Sequence, residues 1–216
     1  MPRILLINPN SSAATTAMMV SIAAACCAGR AEVVGATATR APAMITDGMA
    51  LAASAAEVVE IALAHRDGCD GVIVAAFGDP GAAEIRALGV RPVVGIGEAS
   101  MRTAAEGGRR FGVATVTPAL VASIAALADG LGLAAEFTGV RLTEGDPVAL
   151  AADPARLVDA LAAATRACIE ADGAEAVIIG GGPLAQAADQ LQPQFSVPII
   201  KPIAAAVEQL LCQLSA

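Results

Sequence analysis

Four stretches of this chain recur in the same order about 105–109 residues further on, and no other feature limits the fold as tightly. Ile4-Leu-Leu-Ile-Asn8-Pro9 returns as Phe111-Gly-Val-Ala-Thr115-Val-Thr117-Pro118, each an apolar run ending in a polar residue and Pro. A strand over 31–38 has its partner near 137–142. The β-branched run Gly71-Val-Ile-Val-Ala75-Ala76 stops at the small-residue turn Phe77-Gly78-Asp79-Pro80. It returns as Glu175-Ala-Val-Ile-Ile with the turn Gly180-Gly181-Gly182-Pro183. Pro92-Val-Val-Gly95 returns as Pro198-Ile-Ile-Lys201. A period this long is not a solenoid repeat. It reads as duplication: two βα lobes whose strand C-termini point at each other across one pocket.

The strands are short, apolar throughout and separated by Ala-rich helical segments, the pattern of parallel strands buried on both faces. Helices are expected from about 13 to 28, from Asp47 or Gly48 to 65, up to 88, over 98–105, 119–131, 154–170 and 203–214. Asp153-Pro154 is an N-cap followed by a helix-starting Pro. The helices after Gly97 and after Pro202 cross over, giving one lobe of 1–97 plus 203–216 and a second of 98–202. In open α/β sheets ligands sit outside the strand C-termini, so the pocket falls at the turns.

Composition supports a core of small aliphatics, since 56% of residues are hydrophobic yet there are four Phe, no Trp and no Tyr. A net charge of −8, with no basic run and no aromatic platform, argues against nucleic acid. No uncharged apolar run is long enough for a membrane span. The run 13–28 follows Asn8-Pro9-Asn10 and belongs to the fold rather than to a signal sequence. Five cysteines (Cys26, Cys27, Cys69, Cys168, Cys212) are odd in number and lack metal-ligand spacing. A disulfide framework and a metal site are therefore not expected, and a cytoplasmic setting is.

Ile7-Asn-Pro-Asn-Ser-Ser12, Phe77-Gly-Asp-Pro-Gly81, Pro92-Val-Val-Gly-Ile-Gly-Glu98 and Gly173-Ala-Glu-Ala-Val-Ile-Ile-Gly180 together resemble the Asp/Glu/hydantoin racemase superfamily, in its hydantoin and allantoin racemase branch. The resemblance covers essentially the whole chain. It implies an α/β fold of two pseudo-symmetric flavodoxin-like lobes, each a short, mostly parallel sheet flanked by helices. It also implies a cofactor-independent site between the lobes, a small carboxylate or cyclic ureide as substrate, and a homo-oligomer. The family chemistry uses two thiols on opposite sides of a carbon acid, one removing the α-proton while the other supplies one. Those positions fall here on Ala76 and Gly181. Several departures together around Gly180–Pro183 point to a natural branch.

With the thiols absent, other groups come forward. Asp79 is a candidate general base, and equally an N-cap before Pro80, worth about 1 kcal/mol. Lys201, the sole lysine, is expected at the pocket rim as base, Schiff-base nucleophile or anion clamp, or else as a solvated strand end or in a salt bridge. Asn8, Asn10, Ser11, Ser12, Thr115 and Thr117 are candidates for the substrate's polar edge, with Phe77, Gly78, Gly182 and Pro183 lining it. The first expectation is a racemase or isomerase of a hydantoin-like or amino-acid-like carbon acid. Others are decarboxylation, cis–trans isomerisation or ring hydrolysis on the same scaffold, or a non-catalytic binder of small anions.

Overall fold

A computed structural model of the chain describes residues 1–89, 92–181 and 184–215. Its strands form two four-stranded sheets, both parallel throughout and both in the same order. The first holds β1 (Arg3–Asn8), β2 (Glu32–Thr37), β3 (Gly71–Val74) and β4 (Val93–Gly95), arranged β2-β1-β3-β4. The second holds β5 (Phe111–Thr115), β6 (Phe137–Leu142), β7 (Ala176–Ile179) and β8 (Ile199–Ile200), arranged β6-β5-β7-β8. In each sheet the first strand in sequence lies inside, and the chain then steps outward past it, so the order reverses at β1 and at β5. That reversal opens a crevice at the C-terminal ends of β1 and β3, and of β5 and β7.

The helices follow from local signals. α1 (Ala13–Cys27) starts where the Ser12 hydroxyl accepts from Thr15 N at 3.2 Å. α2 (Gly48–Ala64) starts where Asp47 accepts from Ala50 N at 2.8 Å. α3 (Ala82–Ala87) follows β3, and α4 (Ile96–Ala104) follows β4. α5 (Val121–Gly130) follows β5 through a short 3₁₀ turn. α6 (Pro147–Ala151) is a short helix that the sequence pattern does not announce. α7 (Pro154–Glu170) is capped by Asp153, which accepts from Arg156 N. α8 (Ala185–Leu191) follows β7 and α9 (Pro202–Leu214) follows β8. Side-chain caps of this kind contribute about 1 kcal/mol each.

Ile4 and Leu6 of β1 pack with α1 residues Met19 and Ala23, and with α9 residues Ile203, Ala206, Val207 and Leu210. The final helix thus covers one face of the first sheet. The other face meets α2 and α3 through Leu5, Ile7, Val58 and Ile85. α4 is shared. Ile96 and Ala99 belong to the first sheet's cluster, whereas Met101 and Ala104 pack with Phe111, Val113 and Ile178 of the second. Burying a side chain of this size is worth about 1.5–3 kcal/mol, so α4 is held firmly by both halves.

Candidate active site

The two turns meet. Ala76, just past β3, and Gly181, just past β7, line one cavity of about 130 Å³. Asn10 from the loop after β1, and Thr115 and Thr117 from the end of β5, line it too, together with Phe77. The strand ends of β1, β3, β5 and β7 therefore converge on one space. Its volume is close to that of the ~150 Å³ cavity that takes benzene, so it suits a guest with a single small ring.

Most of the remaining wall is apolar: Met44, Ile45, Leu51, Leu120, Ile124, Leu157 and Leu184. None of these was picked out from the sequence. Met44 and Ile45 lie in the loop between β2 and α2, and an apolar pair inside a Pro- and Thr-containing loop is the signal that could have found them. Among the described residues that line the cavity, none carries a side chain that ionises near neutral pH.

The polar candidates divide. Asn8 is buried, and its Nδ2 is drawn to Asn10 Oδ1 at 2.7 Å, Thr16 Oγ1 at 3.0 Å and Ser12 O at 3.2 Å. It does not line the cavity; it shapes the loop that does. Ser12 is spent on the α1 cap, and the Ser11 amide donates to Pro42 O. Neither lines the cavity. Asn10 Oδ1 accepts from Asn8 Nδ2 and from Ser12 N, while its Nδ2 has no partner among the described residues. Thr115 donates its hydroxyl to Gly180 O at 2.8 Å and thereby ties the end of β5 to the second turn. Gly78 does not line the cavity either and lies against Leu51. Gly182 and Pro183 lie outside the described residues.

Lys201 is not at the rim. It stands immediately before α9, and its Nζ donates to Asp189 Oδ1 of α8 at 2.7 Å, away from the cavity-lining residues. Lys201 does stand at the strand end, as the sequence implies, but an acid on the neighbouring helix decides where the side chain goes.

Asp79 caps a helix, but not the one that follows it. α3 has Gly81 at its N-cap and no side-chain bond there. Asp79 sits at φ 53°, a left-handed conformation that Asp tolerates better than most residues. Its carboxylate turns instead to the N-terminus of α4, where Oδ1 accepts from Gly97 N at 2.8 Å and Oδ2 from Glu98 N at 2.6 Å. The residue as a whole is half-buried, yet the carboxylate rests on Gly95 and Gly97 with no room to spare. Burial pushes the Asp79 carboxyl up to about 7, against the Glu98 and Gly97 amides, which pull it down. The carboxylate does not line the cavity, so the structure gives it a cap rather than a base at the pocket floor.

The five cysteines do not substitute for a catalytic pair. None lines the cavity, and burial raises the thiols of Cys26, Cys27 and Cys69 above the usual range. Cys168, packed beneath Gly112 of β5, is pushed up to about 11 by burial. A thiol held protonated this way is a poor base and a poor nucleophile.

Comparison with known proteins supplies the lineage. The chain is 30% identical over 207 residues to a hydantoin racemase of Pseudomonas sp. (strain NS671), covering 95% of this chain and 83% of that protein. It is 33% identical over 206 residues to a hydantoin racemase of Rhizobium meliloti, covering 95% and 86%. The structure of an allantoin racemase from Klebsiella pneumoniae superposes with a TM-score of 0.92 at 29% identity, covering all of this chain and 88% of that one. Residues 4–210 match the Asp/Glu/Hydantoin racemase family, and the chain belongs to it.

Proposed function

We propose that this protein is a cofactor-independent racemase acting on a small cyclic carbon acid of the hydantoin type, bound in the cavity between the Ala76 and Gly181 turns. The observation that supports it is the convergence of these two positions, from equivalent strand ends of two sheets, on one ring-sized cavity. The division of the chain into 1–97 plus 203–216 and 98–202 belongs to the same reading. So does a cytoplasmic enzyme, which the five free cysteines support. Assembly into a homo-oligomer is carried over from family resemblance alone.

The wall favours an uncharged ring with an apolar substituent. A free amino-acid zwitterion would bring two charges to a cavity where no described side chain answers them, and unpaired buried charge is costly. A hydantoin is neutral. Its ring offers carbonyl oxygens to Asn10 Nδ2 and to the Thr117 hydroxyl, and its substituent fits against Leu51, Leu120 and Ile124. Removal of the C5 proton leaves an enolate, and its charge on oxygen is stabilised by those fixed donors. Return of a proton to the opposite face gives the other enantiomer. With Ala76 and Gly181 in the thiol positions, solvent moves the proton: hydroxide takes it from C5 and becomes water, and a water on the opposite face protonates the enolate and is left as hydroxide.

The test is polarimetry on one enantiomer of a 5-alkyl hydantoin. Optical rotation is expected to decay faster with the protein than in buffer, and Ala76→Leu, which fills the cavity, is expected to stop it. If rotation holds steady while calorimetry records binding, the protein holds its guest without turning it over and the racemase reading fails.

A further inference from the structure

We propose that Asp79 is a positioning residue: its carboxylate latches the turn carrying Ala76 onto the N-terminus of α4, and so fixes the separation of the two halves of the cavity. This rests on the reading of the cavity as the active site. Just past Ala76 the turn is fastened by two different kinds of contact. Phe77 leaves its own sheet and packs among Met101, Ala104, Phe111 and Ile124 of the second half. Two residues later, Asp79 takes both amides at the start of α4, a helix whose far end lies in that same second core.

The surroundings are built to receive the carboxylate. A Cβ at Gly95 would overlap Asp79 Cγ and both its oxygens, and one at Gly97 would meet Leu127 Cδ2 at 2.7 Å. Glycine at Gly95 leaves the space the carboxylate fills, and at Gly97 a Cβ would press on both its oxygens at 3.1 Å. The charged groups facing it are Glu98 of α4, which disfavours its ionisation, and Arg86 of α3, which favours it. Arg86 and Arg102 hold Glu98 between them, at 2.5 and 2.9 Å, so that Glu98 is itself tied to the latch. A carboxylate accepts more strongly from helix-terminal amides than a carboxylic acid does, so the latch tightens as pH rises through about 7.

The experiment follows individual amides by NMR hydrogen exchange in the wild type, Asp79→Ala and Asp79→Asn. Asn keeps one acceptor and serves if Ala does not fold. The Gly97 and Glu98 amides are both expected to lose protection in Asp79→Ala, and one of the two in Asp79→Asn, with the Ala76–Phe77 turn exchanging faster in each. In parallel, the exchange of the C5 proton of a 5-alkyl hydantoin is expected to show a kcat lowered by up to about a hundredfold, the cost of misplacing a site by about 1 Å. KM is expected to move less, and the limb of the pH profile near 7 to disappear in Asp79→Asn. Unchanged protection of Gly97 and Glu98 overturns the latch. So does lost protection with wild-type kcat and pH profile. If the wild type itself shows no C5 exchange, the racemase reading fails alone, and the latch stands or falls on the amide protection of α4 and the turn.

Discussion

Replacing Gly95 with alanine isolates the contact on which the Ala76 turn depends. The new methyl would overlap the Asp79 carboxylate, which would have to leave the Gly97 and Glu98 amides or push β4 aside. Overpacking a tight site costs about 1–3 kcal/mol. Above about pH 7, where the Asp79 carboxyl is ionised, each hydrogen bond to it contributes about 1.5–3 kcal/mol. These terms overlap, because moving the carboxylate relieves the clash, so the expected loss is about 3–5 kcal/mol, a large part of the 5–15 kcal/mol typical of a domain. In urea, with a slope of about 2 kcal/mol/M, the midpoint should fall by about 2 M at unchanged slope. The decisive comparison is a double-mutant cycle with Asp79→Ala, in which the group that the methyl strikes is gone. In that background Gly95→Ala should cost less than about 1 kcal/mol. An equal cost in both backgrounds would mean that the methyl disturbs β4 and not the carboxylate, and the account of Asp79 would be wrong.

Other consequences can be checked by similar means. Ala76→Cys places a thiol in the cavity and is expected to raise C5 proton exchange by about a hundredfold or more, the usual scale of general acid–base catalysis. Gly181→Cys has room, since a Cβ there would lie 3.4 Å from Leu184, but its φ of 137° suits glycine alone. It should lose about 1–3 kcal/mol, or several degrees of Tm by calorimetry. Lys201→Met breaks only an exposed pair with Asp189 and should leave C5 exchange unchanged. Folding stability should fall as pH rises from about 4 to about 7 and then level off. The folded state holds the proton on Asp79 up to about 7 whereas the unfolded chain releases it near 3.8, for a contribution of at most about 4 kcal/mol. Asp79→Asn should flatten that slope in urea titrations.

Much of the architecture was legible because parallel strands buried on both faces leave continuous apolar runs, and because the chain contains them twice. Asp47 and Asp153 announce their helices locally, and both cap them. The convergence of residues 76 and 181 followed from the repeat itself. What escaped depends on partners far away in sequence. Asp79 stands directly before Pro80 and α3, and nothing nearby says that it caps a helix 18 residues downstream. Lys201 drew notice as the sole lysine, but Asp189 determines its direction. The apolar wall from Met44, Ile45 and Leu51 is contributed by a loop and the helix after it, where periodicity carries no signal of a cavity.

The central claim is that the space between the two turns exchanges a carbon-bound proton without thiols. It is tested most directly by incubating a 5-alkyl hydantoin with the protein in D₂O and following the C5 proton by NMR. The account predicts loss of that signal faster than in buffer, matched to the loss of optical rotation and abolished by Ala76→Leu. A C5 proton that persists at the buffer rate, with the hydantoin shown to be bound, would contradict it.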